Sequence, residues 1–439
     1  MRDLHIIGGG PAGLAMGYHA KKNKIPFKIY EASNYVGGNC RTIEFADFKF
    51  DTGAHRFHNK DEEVTKIIKS LLKDDFKKIN VPSKIYSGGK MINFPLELPN
   101  LMASLDKSVI TKIIFENIFK PLAYNKISNN FRDLAYKNYG KTLSELFLIN
   151  YSEKLWGRQT DLLQHDISGN RLKHLNIFSI LKNMIGMQIK DSEHLDGSFY
   201  YPKNGFGTIF EAIKDYIGID SIQLGSKVSE IHHKDNSIDG ILVDGKFIQT
   251  ETLVSTLPLN IFINILRPQP PKEIVDQINK IEFRFLRLCV IFLNMESFSE
   301  NASIYFPENE FPFTRIYEPK NRSKAMAPND KTCIVIEIPC ESNDSIYNCS
   351  EDEFFKTIIS CLIKNDFIDR KDIIDSTSLK VPYAYPILNH NSKPTLKMIN
   401  NYVNTYKNLF NIGRSAQFQY MHTHDLFSEA KQKISKIYN

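Results

Sequence analysis

Two histidines and an arginine lie within four positions of one short stretch, FDTGAHRFH, which covers Phe50 to His58. His55, Arg56 and His58 follow an apolar run and a glycine, so they stand where a strand ends and a turn begins. Such groups suit a phosphate, a metal, a cofactor or a protein surface, and they can also be purely structural. The HxxH spacing has no acidic third ligand within reach, which argues against a metal.

A glycine-rich turn near the N-terminus indicates a bound dinucleotide. The apolar residues Leu4–Ile7 are predicted to form a short buried strand, and GxGxxG follows it directly. The first glycine permits a tight turn, the second lets the backbone approach a pyrophosphate, and the third lets the next helix lie close to the sheet. The N-terminus of that helix would supply amide donors. The predicted cofactor contacts here are Gly8, Gly10, Pro11, Ala12 and Gly13.

A second strand, FKIYE, ends at Glu31. This acid lies roughly 20 residues beyond the third glycine, where a carboxylate can accept hydrogen bonds from both ribose hydroxyls. Ala32 is next to it, and a second glycine pair, Gly37–Gly38, leads into Asn39 and Arg41. Strand, glycines, helix, strand and terminal acid in this order predict a nucleotide cofactor.

The stretch EASNYVGGNCRT resembles the GG-motif flavoproteins, the superfamily of amine oxidases, protoporphyrinogen oxidases and UDP-galactopyranose mutases. Other segments resemble the mutase branch and its protoporphyrinogen-oxidase-like relatives in the same order: KMINFPLELP, YSEKLWGRQ, SFYYPKNGFGTIFEAI, FTRIYEPKNRS and NLFNIGRSAQFQYMHTHD. The resemblance implies FAD, with Gly38 and Arg41 along its pyrophosphate. A pyridine nucleotide domain is not expected, because NGFGTIF holds only Gly205 and Gly207.

The resemblance also implies the fold class. It is an α/β fold in which a Rossmann-type FAD-binding domain is interleaved with a helical region and a mixed-sheet substrate domain. A chain of 439 residues is too long for one simple core. The predicted FAD-binding parts are 1–85, 199–265 and 391–439, the mostly helical cap is 86–198, and the substrate-domain sheet is 266–390.

Local patterns agree with this division. A helical period dominates the cap, apart from a Lys/Asn-rich turn near Asn129. The stretch SVITKIIFENIFKPLAY, from Ser108, predicts an amphipathic helix, which we expect to pack on the core of the protein rather than on a membrane surface. Asp-Gly pairs at Asp239 and Asp244 predict hairpin turns. The stretches RFLRLCVIFLNM and TCIVIEIPC are predicted strands of the substrate-domain sheet.

The flavoproteins that this chain resembles pass the segment after the second glycine pair beside the flavin ring. The resemblance therefore places His55, Arg56 and His58 at the ring or in the active cavity as candidate catalytic residues. Gly53 and Ala54 would let the backbone approach the ring. Donors and cations near a flavin stabilise its reduced form.

The C-terminal segment IGRSAQFQYMHTHD would form the other side of the site. A helix starting near His424 would aim its positive end at the flavin pyrimidine. Mutases carry a tyrosine that contacts substrate at the position of Phe418, and acids at His422 and His424, so the chain departs from the mutase pattern there. The further cofactor contacts implied are Val228, Gly413, Arg414, Met421 and His422.

The substrate is expected to be a small anionic molecule, such as a sugar nucleotide. Arg315 in FTRIYEPK can bind a phosphate through its planar fork, or it can pair with Glu318 or a neighbour. Trp156 can alternatively anchor a core, and Tyr383 and Tyr385 can alternatively pack in a strand. Arg315 and Tyr385 are also candidate catalytic residues. The candidate substrate contacts are Trp156, Tyr200, Arg315, Tyr383, Arg414 and Tyr420.

Composition sets outer limits on function. The formal net charge of +6 is spread along the chain without a dense basic block, so nucleic-acid binding is not indicated. Six scattered cysteines without a CxxC pair predict free thiols and a cytoplasmic location. No apolar run approaches the ~20 residues of a membrane span, and the N-terminus enters a strand at once instead of a signal peptide.

These observations favour an FAD-dependent oxidoreductase of the amine oxidase/protoporphyrinogen oxidase-like type. Such an enzyme removes a hydride from its substrate and later passes the electrons to dioxygen or another acceptor. The alternative is a redox-neutral, flavin-dependent sugar-nucleotide mutase resembling UDP-galactopyranose mutase. A third hypothesis is a non-catalytic flavin-binding scaffold, which would need a closed or apolar cavity.

Overall fold

The computed structural model describes residues 3–123, 130–165, 167 and 198–438. The turn predicted near Asn129 and the end of the predicted cap lie outside these residues. The described residues form a mixed α/β structure, which confirms the predicted fold class.

Elements are numbered in chain order over the described residues. The α-helices are α1 (Pro11–Lys22), α2 (Glu62–Leu72), α3 (Leu98–Ser104), α4 (Lys107–Ala123), α5 (Phe131–Tyr139), α6 (Lys141–Ser144), α7 (Asn150–Trp156), α8 (Thr208–Ile217), α9 (Leu259–Asn264), α10 (Lys272–Ile278), α11 (Ser345–Asn348), α12 (Glu351–Lys364), α13 (Ser392–Val403) and α14 (Thr423–Tyr438). Short 3₁₀ turns lie at Lys73–Asp75, Ile219–Ser221, Pro319–Asn321, Lys324–Met326 and Arg370–Asp372, and a π-helical turn lies at Glu145–Ile149.

A five-stranded parallel sheet carries the glycine motif. Its strand order is β20, β13, β1, β2, β9. The strands are β1 (Leu4–Ile7), β2 (Phe27–Tyr30), β9 (Ile222–Gln223), β13 (Thr252–Ser255) and β20 (Leu409–Asn411). Ile6 packs in one core with α1, whereas Ile7 packs in a second core with α9. Apolar cores therefore cover both faces of the sheet, as is usual for parallel sheets.

Helix α1 lies close to this sheet because glycines face it. A Cβ on Gly13 would come within 1.9 Å of the Gly8 carbonyl oxygen, and a Cβ on Gly17 within 2.8 Å of Ile29 Cδ1. Gly8 has a φ of +101°, a conformation that favours glycine. Backbone geometry and packing thus require the first and third glycines of the motif even without a ligand.

A seven-stranded sheet forms the second layer, in the order β19, β15, β18, β17, β16, β6, β7. The strands are β6 (Ser83–Ser87), β7 (Lys90–Phe94), β15 (Phe283–Leu293), β16 (Ser303–Tyr305), β17 (Arg315–Tyr317), β18 (Thr332–Cys340) and β19 (Ile373–Pro386). Neighbours are antiparallel except β6 and β16, which run parallel. The two apolar strands predicted for this sheet, β15 and β18, are confirmed, and β18 is buried along its whole length.

The described residues also form a four-stranded sheet and two two-stranded sheets. The four-stranded sheet has the order β12, β11, β10, β14. Its strands are β10 (Val228–Lys234), β11 (Ser237–Val243), β12 (Lys246–Gln249) and β14 (Leu266–Arg267). One two-stranded sheet is a hairpin of β3 (Thr42–Phe45) with β4 (Phe48–Asp51), and the other pairs β5 (Phe76–Asn80) with the distant β8 (Ser198–Pro202).

One of the two predicted Asp-Gly turns is confirmed and the other is wrong. Asp244 and Gly245 both have positive φ, 49° and 79°, and they join β11 to β12. Asp239 lies inside β11 instead. The turn before β11 is made by Asp235 and Asn236, with φ of 50° and 59°. Asp and Asn tolerate the left-handed conformation, so this turn needs no glycine.

Helix α4 forms where the sequence predicted it, but it packs differently. Ile113 and Asn117 are buried, as expected for a helix on the protein's own core. Four other large apolar side chains are exposed, namely Ile114, Phe115, Ile118 and Phe119. One side of this helix therefore packs on the core of the protein, as predicted, while four of its large apolar side chains are exposed to solvent.

Membrane-spanning helices were also considered. Over the described ranges, no helix has both the length and the hydropathy needed to cross a membrane.

Candidate active site

Three distant chain segments meet at the N-terminal end of α1. A Cβ on Gly38 would lie 3.3 Å from the Cα of Gly10, and a Cβ on Gly413 would lie 2.9 Å from the Cβ of Ala12. Gly38 and Gly413 both have positive φ, +53° and +109°. A Cβ on Gly10 would meet no described atom nearer than the Gly38 Cα at 3.9 Å. The open face of Gly10 therefore leaves room for a ligand that approaches the backbone, as a diphosphate does in dinucleotide-binding folds.

The Glu31 carboxylate follows β2 and is held by the chain around it. Its Oε2 accepts a hydrogen bond from Gly9 N–H at 2.6 Å, and its Oε1 accepts from the N–H and the hydroxyl of Ser33, both at 2.8 Å. A carboxylate has about four acceptor positions, so acceptor capacity remains after these bonds. The carboxylate is thus fixed in orientation and still able to bind hydroxyl groups.

Arg41 lies beside the second glycine pair. Its guanidinium is 3.4 Å from the centroid of the Tyr35 ring. Burial lowers the pKa of Arg41, while Tyr35 and Glu31 oppose this effect, and an arginine in a protein stays protonated. The buried Nε has no hydrogen-bond partner among the described residues. A charged N–H without a partner at this position fits a phosphate oxygen.

The segment Gly53–His58, named here the histidine loop, leaves β4 and is fixed through its backbone. The hydrogen bonds are Ala54 N–H to Glu337 Oε1 at 2.9 Å, Arg322 Nη1 to the His55 carbonyl at 3.0 Å, and Phe57 N–H to the Tyr200 carbonyl at 3.2 Å. Partners from three separate chain segments therefore hold the loop. Its position depends on the tertiary structure more than on its own sequence.

The His55 side chain faces the glycine-rich segment. Its Nε2 lies 2.9 Å from the Asn39 carbonyl oxygen, and its ring stacks on Phe206 with centroids 5.0 Å apart. Burial lowers the pKa of His55 to about 3, and nearby guanidinium groups add to this effect. These groups are Arg322, Arg315 and Arg414. The imidazole is therefore neutral at pH 7, with Nε2–H donating to Asn39 and Nδ1 left as an acceptor.

Arg56 and His58 point elsewhere. Arg56 Nη2 donates to the hydroxyls of Ser83 and Ser303 at 2.9 and 3.3 Å. The Arg56 guanidinium lies 4.9 Å from the Phe199 ring, and the His58 ring lies 6.4 Å from the same ring. The three residues that are clustered in sequence are thus divided in space. Within the described part of the chain, no group of three His, Cys, Asp or Glu side chains is placed to hold a metal ion.

Arg315 on β17 pairs with Glu337 on β18. Its Nε donates to Glu337 Oε2 at 2.9 Å, and its Nη2 donates to the same oxygen. The side chains are 17% and 3% exposed. The salt-bridge alternative is therefore realised, although the partner is not Glu318. Because Glu337 Oε1 also accepts from Ala54 N–H, this ion pair connects the seven-stranded sheet to the histidine loop.

Tyrosine rings surround this ion pair. The Tyr305 ring lies 5.9 Å from the Arg315 guanidinium. Burial raises the pKa of Tyr385 to about 12, with Glu337 adding to the effect, and burial also raises the pKa of Tyr151. Both phenols therefore keep their protons at neutral pH and can donate hydrogen bonds to a ligand.

Arg414 is held by aromatic rings. Its guanidinium carbon lies 4.6 Å from the Tyr385 centroid and 4.4 Å from the Tyr420 centroid. Trp156, only 5% exposed, packs edge-on against Tyr385 with centroids 5.7 Å apart. Nε and Nη2 of Arg414 are buried and have no hydrogen-bond partner among the described residues. Ring faces orient this cation and leave its N–H groups available to an anion.

The C-terminal helix begins next to this arrangement. Helix α14 starts at Thr423, as predicted, and the rings of His422 and His424 stack with centroids 5.5 Å apart. Asp425 Oδ2 accepts from the backbone N–H of His422 at 2.8 Å, and Asp425 Oδ1 lies 3.2 Å from His424 Nε2. An acid is therefore present here, one position beyond His424. Met421 packs against the first apolar core.

Other sequence candidates lie in packed regions. Phe418 is fully buried in the second core and packs edge-on against Phe283, with centroids 5.0 Å apart. Its ring therefore faces apolar side chains in this structure. Tyr383 also packs against Phe283, at 5.3 Å, and Tyr200 stacks on Phe76 at 5.1 Å.

Sequence reasoning missed Glu337, Arg322 and Tyr151. Glu337 had a visible signal, since it is the only charged residue in the apolar run TCIVIEIPC. A buried carboxylate in such a strand needs a cationic partner. Arg322 and Tyr151 lie in FTRIYEPKNRS and YSEKLWGRQ, two segments that carry the resemblance, but nothing within those segments singles out either side chain.

The parallel sheet and the glycine-lined helix end are typical of a dinucleotide-binding fold. The model of the family described as "Flavin containing amine oxidoreductase" matches residues 11–362, and the chain belongs to this family. The predicted superfamily and the flavoenzyme class are thereby confirmed.

Individual relatives agree with this assignment. The chain is similar to the crystal structure of reduced UDP-galactopyranose mutase, with a TM-score of 0.87 and 17% identity, over 100% of this chain and 95% of that one. The chain is also similar to the structure of a protein from Exiguobacterium sp. 255-15 that is assigned as a protoporphyrinogen oxidase. The TM-score is 0.77 and the sequence identity is 14%, over 99% of this chain and 98% of that one. These likenesses show the fold.

A curated relative matches over a shorter stretch. A 1-hydroxycarotenoid 3,4-desaturase from Flavobacterium sp. (strain P99-3) is 37% identical over 57 residues, which is 13% of this chain and 12% of that protein. The chain thus matches only a small part of the length of this relative.

Proposed function

We propose that the protein binds FAD noncovalently and removes a hydride from a small anionic substrate. The observation that carries this proposal is the Arg414 guanidinium, which is held against two tyrosine rings with buried N–H groups lacking partners among the described residues. Arg414 and Arg315 are both close enough to His55 to lower the pKa of its imidazole. An anion-binding group and the histidine loop thus belong to one site.

The residues present fit FAD. The open face of Gly10 and the Arg41 Nε suit the pyrophosphate, and Glu31 suits the ribose hydroxyls. FAD rather than a smaller flavin is favoured because this cradle is built for a dinucleotide. The strands of the parallel sheet support the proposed FAD-binding parts, since they fall within 1–85, 199–265 and 391–439.

A bound flavin supplies a two-electron acceptor, and the chain supplies binding and orientation. Arg414 would bind the anionic part of the substrate. Tyr385, protonated at neutral pH, would donate a hydrogen bond to it. His55, neutral and fixed on Asn39, would present Nδ1 as an acceptor to the flavin or the substrate. Arg315 is neutralised by Glu337, so its main role would be to orient this lining.

The test uses anaerobic incubation of the FAD-loaded protein with candidate sugar nucleotides. Flavin absorbance and product mass are followed together. The proposal expects bleaching of oxidised flavin by substrate, without dithionite, and a product two mass units lighter. Bleaching by none of a panel of anionic substrates, with catalysis only after chemical reduction, would overturn it.

A second function is favoured by one observation. The fold is similar to reduced UDP-galactopyranose mutase with a TM-score of 0.87 over 100% of this chain. A redox-neutral mutase would isomerise a sugar nucleotide between pyranose and furanose forms at unchanged mass, and only with pre-reduced flavin.

Arg414→Lys should raise KM with little change in kcat. Lysine keeps the charge but loses the planar fork and its packing against the rings of Tyr385 and Tyr420. One charge-assisted hydrogen bond is worth about 1.5–3 kcal/mol, so KM should rise at least about tenfold. Steady-state kinetics on the substrate that bleaches the flavin provide the measurement.

Arg267→Lys is the matched control for this change. Arg267 pairs with Glu230 in the four-stranded sheet, so its replacement should leave KM unchanged. An unchanged KM in Arg414→Lys as well would remove Arg414 from substrate binding.

A further inference from the structure

We propose that Arg322 is a positioning residue of the site: it fixes the histidine loop and keeps the His55 imidazole uncharged and directed at Asn39. This inference rests on the proposed function, because it gives His55 a role at the flavin. Arg322 lies in FTRIYEPKNRS, a segment in which Arg315 is the only residue that the sequence marks as a candidate for the site.

The Arg322 guanidinium joins two backbone segments. Nη1 donates to the His55 carbonyl at 3.0 Å, and Nη2 donates to the Ala302 carbonyl at 3.3 Å. The side chain is 3% exposed, and its guanidinium carbon lies 4.4 Å from the Tyr317 ring. Ala302 precedes Ser303, whose hydroxyl accepts from Arg56. The two arginines therefore brace one side of the histidine loop against the start of β16.

The segment that carries Arg322 is itself fixed. Lys320, 4% exposed, has four backbone carbonyl oxygens within hydrogen-bond distance of its Nζ, to which its three N–H groups donate. These carbonyls belong to Glu296, Pro328, Asn329 and Lys331, at 2.7–2.9 Å. Glu318, 1% exposed, accepts from the backbone N–H groups of Phe298 and Ser299. Arg322 therefore acts from a rigid support.

Arg322 keeps its charge close to His55. Within the described residues, no carboxylate oxygen lies within ion-pair distance of its guanidinium, whose bonds go to carbonyls instead. The nearby Asp51 carboxylate accepts hydrogen bonds from the hydroxyls of Thr42 and Tyr201 and from the Phe206 N–H. A buried guanidinium bonded to the carbonyl of a histidine disfavours a second positive charge on that histidine.

The other charged groups facing His55 act less directly. They are Arg315 from β17, Glu337 from β18 and Arg414 from the C-terminal segment. Arg315 is paired with Glu337, and Arg414 is held against Tyr385 and Tyr420. After burial itself, Arg322 has the largest part in lowering the pKa of His55 to about 3. Removing Arg322 should therefore move the His55 titration more than removing either of the other arginines.

The experiment compares Arg322→Met and Arg322→Lys with wild type in the FAD-loaded protein. Lys324→Gln is the control, because it removes an exposed positive charge from the same segment. Histidine is labelled at Cε1 for NMR titration, and His55→Gln identifies the signal. The midpoint for His55 should rise by about one pH unit or more in Arg322→Met, and it should stay low in Arg322→Lys and Lys324→Gln.

Kinetics provide a second measurement that a purely structural role would not produce. Arg322→Met should change the rate of flavin reduction about fivefold or more, and in a His55→Gln background it should add less than about twofold, because both changes act through one residue. If Arg322→Met does not fold, the rate of flavin reduction is compared for Arg322→Lys with and without His55→Gln. Lysine cannot bond both the His55 and the Ala302 carbonyls as the arginine does, so the same non-additive result is expected.

An unshifted His55 titration in folded Arg322→Met, or fully additive rate effects with His55→Gln, would overturn the proposal. The titration needs no substrate. It therefore distinguishes failure of this inference from failure of the proposed oxidoreductase function.

Discussion

Gly10→Val should give a folded protein that no longer binds FAD. A Cβ at Gly10 meets nothing closer than the Gly38 Cα at 3.9 Å, so the fold can accept a small side chain there. The backbone at this position is extended, with a φ of −75°, which a non-glycine residue adopts without strain. The added methyl groups would occupy the space that a diphosphate needs. Absorbance near the flavin band after purification, and after incubation with excess FAD, measures the loss.

Gly13→Ala is the contrasting variant. Its Cβ would lie 1.9 Å from the Gly8 carbonyl oxygen, and backbone atoms cannot move aside as a flexible side chain can. This variant should lose stability in the absence of FAD, whereas Gly10→Val should keep the circular dichroism and melting temperature of the apoprotein. Yellow Gly10→Val protein with wild-type flavin content would contradict the proposed cofactor site.

Arg315→Met should cost about 3–5 kcal/mol of stability, because it leaves the Glu337 carboxylate buried without its counter-charge. Glu337 is 3% exposed, and its Oε1 also holds the Ala54 N–H. The loss should therefore loosen the histidine loop as well as the seven-stranded sheet. Urea unfolding at one saturating FAD concentration gives the comparison, since bound cofactor stabilises all variants by mass action.

The double variant Arg315→Met/Glu337→Gln separates pairing from packing. Glutamine keeps an oxygen that can accept from Ala54 N–H, while no buried charge remains. The double variant should recover much of the stability lost in Arg315→Met, with a coupling energy of about 1–3 kcal/mol in the cycle. Additive losses would show that the two side chains contribute independently, contrary to a buried ion pair.

Local patterns in the sequence predicted the strand, glycine turn and helix at the N-terminus of the chain. Strand, glycines, helix and acid follow one another closely in the chain, so short-range patterns are enough to predict them. In the structure, Gly10, Gly38 and Gly413 lie close together at the start of α1. Long apolar strands such as β15 and β18 were also predictable, because burial on both faces requires a continuous apolar run. The Asp239 turn failed for a local reason, since Asp235 and Asn236 supply the left-handed turn without glycine.

Contacts between distant segments could not be predicted in the same way. The histidine cluster is divided in space because Asn39, Ser83 and Ser303 come from other parts of the chain. Likewise, Phe418 lies within a segment that resembles a substrate-contacting one, yet Phe283 and the second core enclose its ring. Periodicity and motif spacing contain no information about which partner a side chain meets across a sheet.

The sequence by itself determined the flavoprotein class through the resemblance of its motifs. It also determined the glycine turn after β1 and the order of the main elements, because these follow from short-range backbone requirements and from apolar periodicity. Only the tertiary structure decided the protonation of His55 and the contacts that hold the histidine loop in place. Burial and three arginines from two separate segments, Arg315 and Arg322 in one and Arg414 in the other, lower the pKa of His55, and the register of β17 and β18 pairs Arg315 with Glu337. Electrostatic effects of this kind depend on distance and burial, which exist only once the chain has folded.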